Sequence, residues 1–166
     1  EQALAAGHEL TLLHRGRSGP ALFPQARHWL ADRDGDLSLL GHEAFDAVID
    51  TSAYVPRQVN AVARQMAGRV GRYLLVSTIS VYADLSVPGV GEAAPTAAPD
   101  DPTTEEVTGA TYGGLKRLCE EAALAGFGER ALIARPGLLV GPHDPTGRFS
   151  WWVARLQRGL HSVECE

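Results

Sequence analysis

The sequence of 166 residues holds only two cysteines, Cys119 and Cys165, too few for a disulfide framework. A reducing cytoplasm is therefore the expected setting. No run approaches the roughly 18 apolar residues that a bilayer-spanning helix needs. No basic segment followed by an apolar one opens the chain, so nothing predicts export. Basic residues are in the minority, with 15 Lys and Arg against 20 Asp and Glu and a formal charge of −5. Phosphate-binding surfaces need a basic excess, so nucleic acid is not expected as the main partner. The six histidines (His8, His14, His28, His42, His143 and His161) show no HxxxH or HxH spacing, and no metal site is expected. There is neither an internal repeat nor a low-complexity tract.

What is present reads as one α/β domain. Apolar residues make up 45% and charged residues 21%, an ordinary balance for a folded globular chain of this length. Residues 1–6 read as the last turns of a helix stopped by Gly7, and residues 9–14 as a strand. A basic turn follows, Arg15-Gly16-Arg17-Ser18-Gly19-Pro20. A second strand at 27–30 leads to the polar turn at 32–36. A weak helix precedes a third strand, 45–50. Pro56 then opens a helix to about residue 67, with Val59, Val62, Ala63 and Met66 on one face. The continuous apolar run at 72–77 predicts a parallel strand covered on both faces. Residues 84–108 form an irregular loop, 111–126 a helix and 130–135 a strand. Pro136, Gly137, Gly141 and Pro142 break the chain before a last helix, about 149–157, with Trp151 and Trp152. Strands alternating with helices imply βαβ units and a doubly wound parallel sheet.

Three segments carry chemistry. In Tyr112-Gly113-Gly114-Leu115-Lys116 the phenol and the ammonium lie four residues apart on one helix face. An ammonium beside a phenol favours the phenolate and makes it a usable general acid/base. By itself a Tyr and a Lys at this spacing is a common accident of helices. Upstream, Val76-Ser77-Thr78-Ile79-Ser80-Val81-Tyr82 ends a buried strand in hydroxyls, at the sheet end where ligands of parallel sheets bind. The bland alternative is that these hydroxyls cap a turn. Downstream lies Ala134-Arg135-Pro136-Gly137-Leu138-Leu139-Val140-Gly141-Pro142.

In that order and spacing the trio resembles the extended short-chain dehydrogenase/reductase family, of the NAD-dependent epimerase/dehydratase type, over nearly the whole chain. The resemblance implies a Rossmann-like fold, NADP or NAD as cofactor, and a small hydroxyl-bearing substrate, a nucleotide sugar being the commonest class. It assigns catalysis to Thr78, Tyr112 and Lys116. It assigns cofactor contacts to Asp32, Thr51, Ser52, Ala53, Ser77, Tyr112, Lys116, Pro136 and Gly137. The basic turn falls where the adenosine ribose is read, and Arg15 and Arg17 without an acid lean to NADP. The bland reading of that turn is a solvated basic loop.

The chain departs from the family at both ends. No GxxGxxG or GxGxxG precedes Glu1, so the central strand and the phosphate-binding turn are expected to be missing, along with most of a C-terminal substrate domain. The expected organisation is a partial NAD(P)-binding domain at 1–148 and the start of a connection at 149–166. Unpaired strand edges near Leu10–His14 and Ala47–Asp50 follow, with self-association through edges or helices as one outcome. Weak cofactor binding and little turnover are expected of such a chain. The alternative function is a non-catalytic Rossmann-like scaffold that binds RNA or a regulatory protein.

Overall fold

Gly7 ends the first helix, α1 (Gln2–Ala5), as its position predicts. Its φ of +82° lets the Gly7 amide donate to Leu4 and the His8 amide to Ala3, the paired bonds that close a helix C-terminus. The computed structural model describes residues 1–17, 19, 22–141, 144 and 146–159. Ser18, Pro20, Pro142, His143, His161 and Cys165, all named above, lie outside the described residues. Two compact units divide the chain, Glu1–Arg135 and Pro136–Glu166.

In the first unit strands and helices alternate as expected: β1 (Thr11–His14), β2 (Arg27–Leu30), β3 (Phe45–Asp50), α2 (Pro56–Met66), β4 (Val70–Val76), α3 (Tyr112–Phe127) and β5 (Ala131–Ala134). The weak helix before β3 is a 3₁₀ turn, Ser38–His42. Every ladder is parallel. β3 pairs with β4 and β4 with β5, in registers such as Val48↔Tyr73 and Leu75↔Ile133. β1 pairs with β2 alone, Leu13 opposite Trp29. The sheet is thus in two pieces, and among the described residues no strand joins β1 to β3.

The two pieces nonetheless share one core. Leu13 and Trp29 pack on the cluster that holds Val59, Val62, Met66, Tyr73, Leu75, Cys119 and Phe127. Trp29 meets the Phe45 ring edge-on at 5.8 Å, and Tyr73 stacks on Phe127 at 4.0 Å. Burying each of Val59, Val62 and Met66 contributes about 1.5–3 kcal/mol, which holds α2 to the sheet. β4 differs from expectation in one respect. Its apolar run is covered on one face by α2 and α3, whereas Ile49 and Leu132, on the flanking strands, remain 64% and 59% exposed. A run of apolar residues records hydrophobicity, not what lies opposite each face.

The second unit, taken by itself, carries α4 (Arg148–Gln157), whose Trp151 and Trp152 rings meet edge-on at 5.0 Å. No helix among the described residues is long and apolar enough to cross a membrane.

Candidate active site

Parallel strands direct their carboxyl ends to one side, and three of them converge on a cavity of about 480 Å³. β1 supplies Leu13 and His14 and the basic turn at 15–17. The segment after β2 supplies Asp32, Arg33 and Asp34, and the segment after β3 supplies Thr51, Ser52 and Tyr54. Five of the residues assigned by resemblance to the cofactor, Arg15, Arg17, Asp32, Thr51 and Ser52, therefore line one cavity. Ala53, a sixth, is fully buried at its edge.

Arg33, one of the lining residues, is held in an ion pair with buried Asp50. Arg33 donates to both carboxylate oxygens of Asp50 at 2.7 and 2.9 Å and to the Ser52 hydroxyl at 2.9 Å. The Tyr73 hydroxyl donates to Asp50 at 2.8 Å and the Ser52 amide at 3.1 Å. Burial alone pushes Asp50 up, but the Arg33 fork and charge, with Tyr73 and Ser52, outweigh it and hold Asp50 below the usual carboxylate range. Burial and the neighbouring Asp50 charge push the Tyr73 phenol far up, so it stays protonated and donating. Gln58 braces the next segment: its Oε1 accepts from the Tyr54 amide at 2.8 Å and its Nε2 donates to Asp34 at 2.9 Å.

The catalytic candidates gather at the carboxyl end of β4 and the first turn of α3. Two glycines in the Tyr-Gly-Gly-Leu-Lys segment make this possible. A methyl at Gly113 would stand 2.1 Å from the Ser80 carbonyl oxygen, and one at Gly114 2.6 Å from the Pro99 nitrogen. Helix and hydroxyl turn thus approach as closely as backbone allows, with Tyr112 beside the turn of Thr78 and Ser80. Thr78 starts that turn: its Oγ1 accepts from the Ser80 amide and donates to the Ser80 hydroxyl, each at 3.1 Å. One lone pair remains open, since a hydroxyl has two. The Ser77 hydroxyl turns inward and donates to buried Glu120 at 2.5 Å. Glu120 is in turn forked by Arg135.

Lys116 joins the two groups. Only 3% exposed, it donates from Nζ to the Ala53 carbonyl at 2.6 Å and the Val76 carbonyl at 2.8 Å, tying the ends of β3 and β4 together. Burial lowers its pKa from the ordinary lysine value. Its ammonium is directed to these carbonyls rather than to the Tyr112 phenol. Tyr54 fills the corner between them, its ring 5.9 Å from Lys116 Nζ and 6.3 Å from the Tyr112 ring. Pro136 and Gly137 open the second unit. Among the described residues no group of three His, Cys, Asp or Glu side chains is placed to hold a metal.

Sequence reasoning missed Tyr54, Arg33, Asp50 and Gln58. Two signals were available: Asp50 is an acid ending an apolar strand, and Tyr54 is an aromatic just past that strand end. Neither says which partner it will meet.

No family model matches the chain, and no curated protein matches it. Solved structures do. A protein provisionally described as an epimerase, from Burkholderia cenocepacia J2315, superposes with a TM-score of 0.72 at 20% identity, over 98% of this chain and 57% of its own. A UDP-galactose 4-epimerase gives 0.70 at 21% identity, over 95% and 57%. UDP-glucuronic acid 4-epimerase from Bacillus cereus, in complex with NAD, gives 0.67 at 16% identity, over 95% and 58%. The likeness is one of fold. The chain carries a partial Rossmann-like α/β fold of the kind found in these structures, as the sequence resemblance implied. It spans under three fifths of the length of those structures.

Proposed function

We propose that the protein is an NAD(P)-dependent domain of the epimerase/dehydratase type, acting on a hydroxyl of a small substrate, a nucleotide sugar being the class favoured by its structural neighbours. The observation that carries this reading is Lys116, whose two carbonyl bonds fasten the cavity at the ends of β1–β3 to the Tyr112 helix. A cavity of about 480 Å³ lies within the roughly 300–1,000 Å³ of small-molecule sites. Its donor set fits a dinucleotide. Arg15 and Arg17 suit the phosphate of an NADP ribose, Asp32 the adenosine end, and Thr51, Ser52 and Ala53 the ribose and pyrophosphate. Ser77 is assigned by the sequence resemblance to the nicotinamide side. A nicotinamide dinucleotide held by these residues would supply a hydride acceptor and donor.

The chain's own groups hold and move the proton. Tyr112 takes it from the substrate hydroxyl at its phenol oxygen. Thr78 donates its hydroxyl to the same substrate oxygen, exchanging its bond to Ser80 for one to the substrate. Lys116 contributes a positive charge that favours the Tyr112 phenolate. The two carbonyls hold that charge in place at the ends of β3 and β4. Self-association and a cytoplasmic setting belong to the same reading.

Conversion of UDP-hexoses in the presence of NADP or NAD tests it. Tyr112→Phe is expected to lower the rate by about 10²-fold or more. A Tyr112→Phe protein as active as the parent overturns the assignment. Absence of both conversion and nicotinamide binding, with capture of RNA or a protein instead, transfers the case to the scaffold reading.

A further inference from the structure

Two histidines outside the catalytic group form a chain of hydrogen bonds with a fixed direction. The Gly16 amide donates to His14 Nδ1 at 3.0 Å. His14 Nε2 lies 2.8 Å from His28 Nδ1, and His28 Nε2 lies 3.1 Å from the Phe23 carbonyl oxygen. The two rings stand edge to face, 5.1 Å apart at 87°. An amide can only donate and a carbonyl can only accept, so the ends dictate the middle. His14 must accept at Nδ1 and carry its proton on Nε2. His28 must accept that proton at Nδ1 and carry its own on Nε2, which it donates to Phe23. Both imidazoles are neutral, each in one tautomer, with no ring nitrogen spare.

This chain fastens a particular piece of backbone. Gly16 has φ +71° and sits between Arg15 and Arg17, while Phe23 holds φ +57°, an uncommon conformation for a residue with a side chain. The pair therefore clamps the basic turn to β2 and to the Phe23 loop that leads into that strand. One added proton anywhere in the chain is one donor too many. If His28 gains it, His14 must turn its acceptor towards His28 and present N–H to Gly16. If His14 gains it, the same clash arises at once.

Resting on the cofactor site proposed above, we propose that His14 and His28 are positioning residues for Arg15 and Arg17, and that acid releases the turn by protonating the pair. Other charges face the same place. Arg15 and Arg17 and, after β2, Asp32, Arg33 and Asp34 share the cavity wall with His14. Of these, Arg33 is paired with Asp50 and Asp34 with Arg57. Arg27, beside His28 in β2, is held by Glu43.

The first readout needs no ligand. Long-range ¹⁵N NMR of the imidazoles at pH 8 is expected to show both rings protonated on Nε2. The Gly16 amide resonance is expected to move with the histidine titration as pH falls towards 5.5. A ring protonated on Nδ1, or a Gly16 amide indifferent to that titration, overturns the latch whether or not any cofactor binds. The second readout compares NADPH dissociation constants of the parent and of His14→Asn at pH 8 and 5.5. Asparagine keeps an acceptor near Nδ1 for Gly16 but cannot be protonated. The ratio of parent to variant constants is expected to rise about fivefold on acidification, equivalent to about 1 kcal/mol at 1.4 kcal/mol per tenfold. Titration of the NADPH phosphate is common to both proteins and cancels in the ratio. A flat ratio refutes the link between latch and site. Failure of both proteins to bind NADPH at either pH refutes the cofactor site, while the NMR result still decides the latch.

Discussion

Removing Arg33 should expose how much the cavity wall depends on one ion pair. In Arg33→Met, Asp50 loses bonds of 2.7 and 2.9 Å and keeps only the Tyr73 hydroxyl and the Ser52 amide. The carboxylate side chain is 7% exposed and that of Arg33 14%, so water restores little of the lost interaction. Breaking a buried pair from one side costs about 3–5 kcal/mol. The two surviving bonds, worth about 1 kcal/mol each, reduce the expected loss to about 1–3 kcal/mol. For a chain of this size that lowers Tm by about 2–12 °C, at roughly 2–4 °C per kcal/mol. The pH dependence has a definite sign. In the parent Asp50 is held below the ordinary carboxylate value, so its contribution is complete above about pH 4 and disappears as pH falls through its folded value. Without Arg33, burial dominates and raises Asp50, so the variant is relieved as the carboxylate takes a proton. The Tm gap between the two proteins should therefore shrink from pH 7 to about pH 4.5. Calorimetry across that range, with the Arg33→Met/Asp50→Asn double variant recovering most of the loss, is the assay. A gap that stays constant or widens towards acid, or a loss below about 1 kcal/mol, refutes the reasoning.

Gly113→Ala places a methyl 2.1 Å from the Ser80 carbonyl oxygen, so α3 must part from the hydroxyl turn. Helix propensity alone would stabilise by about 1 kcal/mol. Urea melts are expected to show a net loss of about 2 kcal/mol instead, and a stabilised variant would mean the contact is absent. Cys119 is fully buried and its thiol is pushed up to about 11 by burial. In a Cys165→Ser background, iodoacetamide at pH 8 should label it only after unfolding in urea. Rapid native labelling contradicts that burial.

Periodicity and turn chemistry made the elements legible. Gly7 stops α1, Pro56 opens α2, and all five strands lie where the apolar runs put them. These are local signals, each needing only neighbours in sequence. The Tyr112–Lys116 spacing marked the helix proposed to carry the proton transfer, and Gly113 and Gly114 fit its contacts with Ser80 and Pro99. What stayed hidden is set by distant partners. Lys116 turns to carbonyls 63 and 40 residues away, Ser77 turns to Glu120, and Tyr54 stands between cavity and helix. The histidine chain was hidden for the same reason, since His14 and His28 meet only because β1 and β2 pair in one register. Scattered spacing argued against a metal site and said nothing about a hydrogen-bonded pair.

The central claim is that the cavity at the ends of β1, β2 and β3 is a nicotinamide-dinucleotide site with a preference for NADP. Isothermal titration of NADPH and NADH measures it most directly, into the chain and into the chain preceded by a strand and a GxxGxxG turn that could fill the break between β1 and β3. The account predicts binding that strengthens with the added segment, with NADPH tighter than NADH and the difference lost in Arg15→Ala/Arg17→Ala. Heats of dilution alone from both proteins and both nucleotides would contradict it.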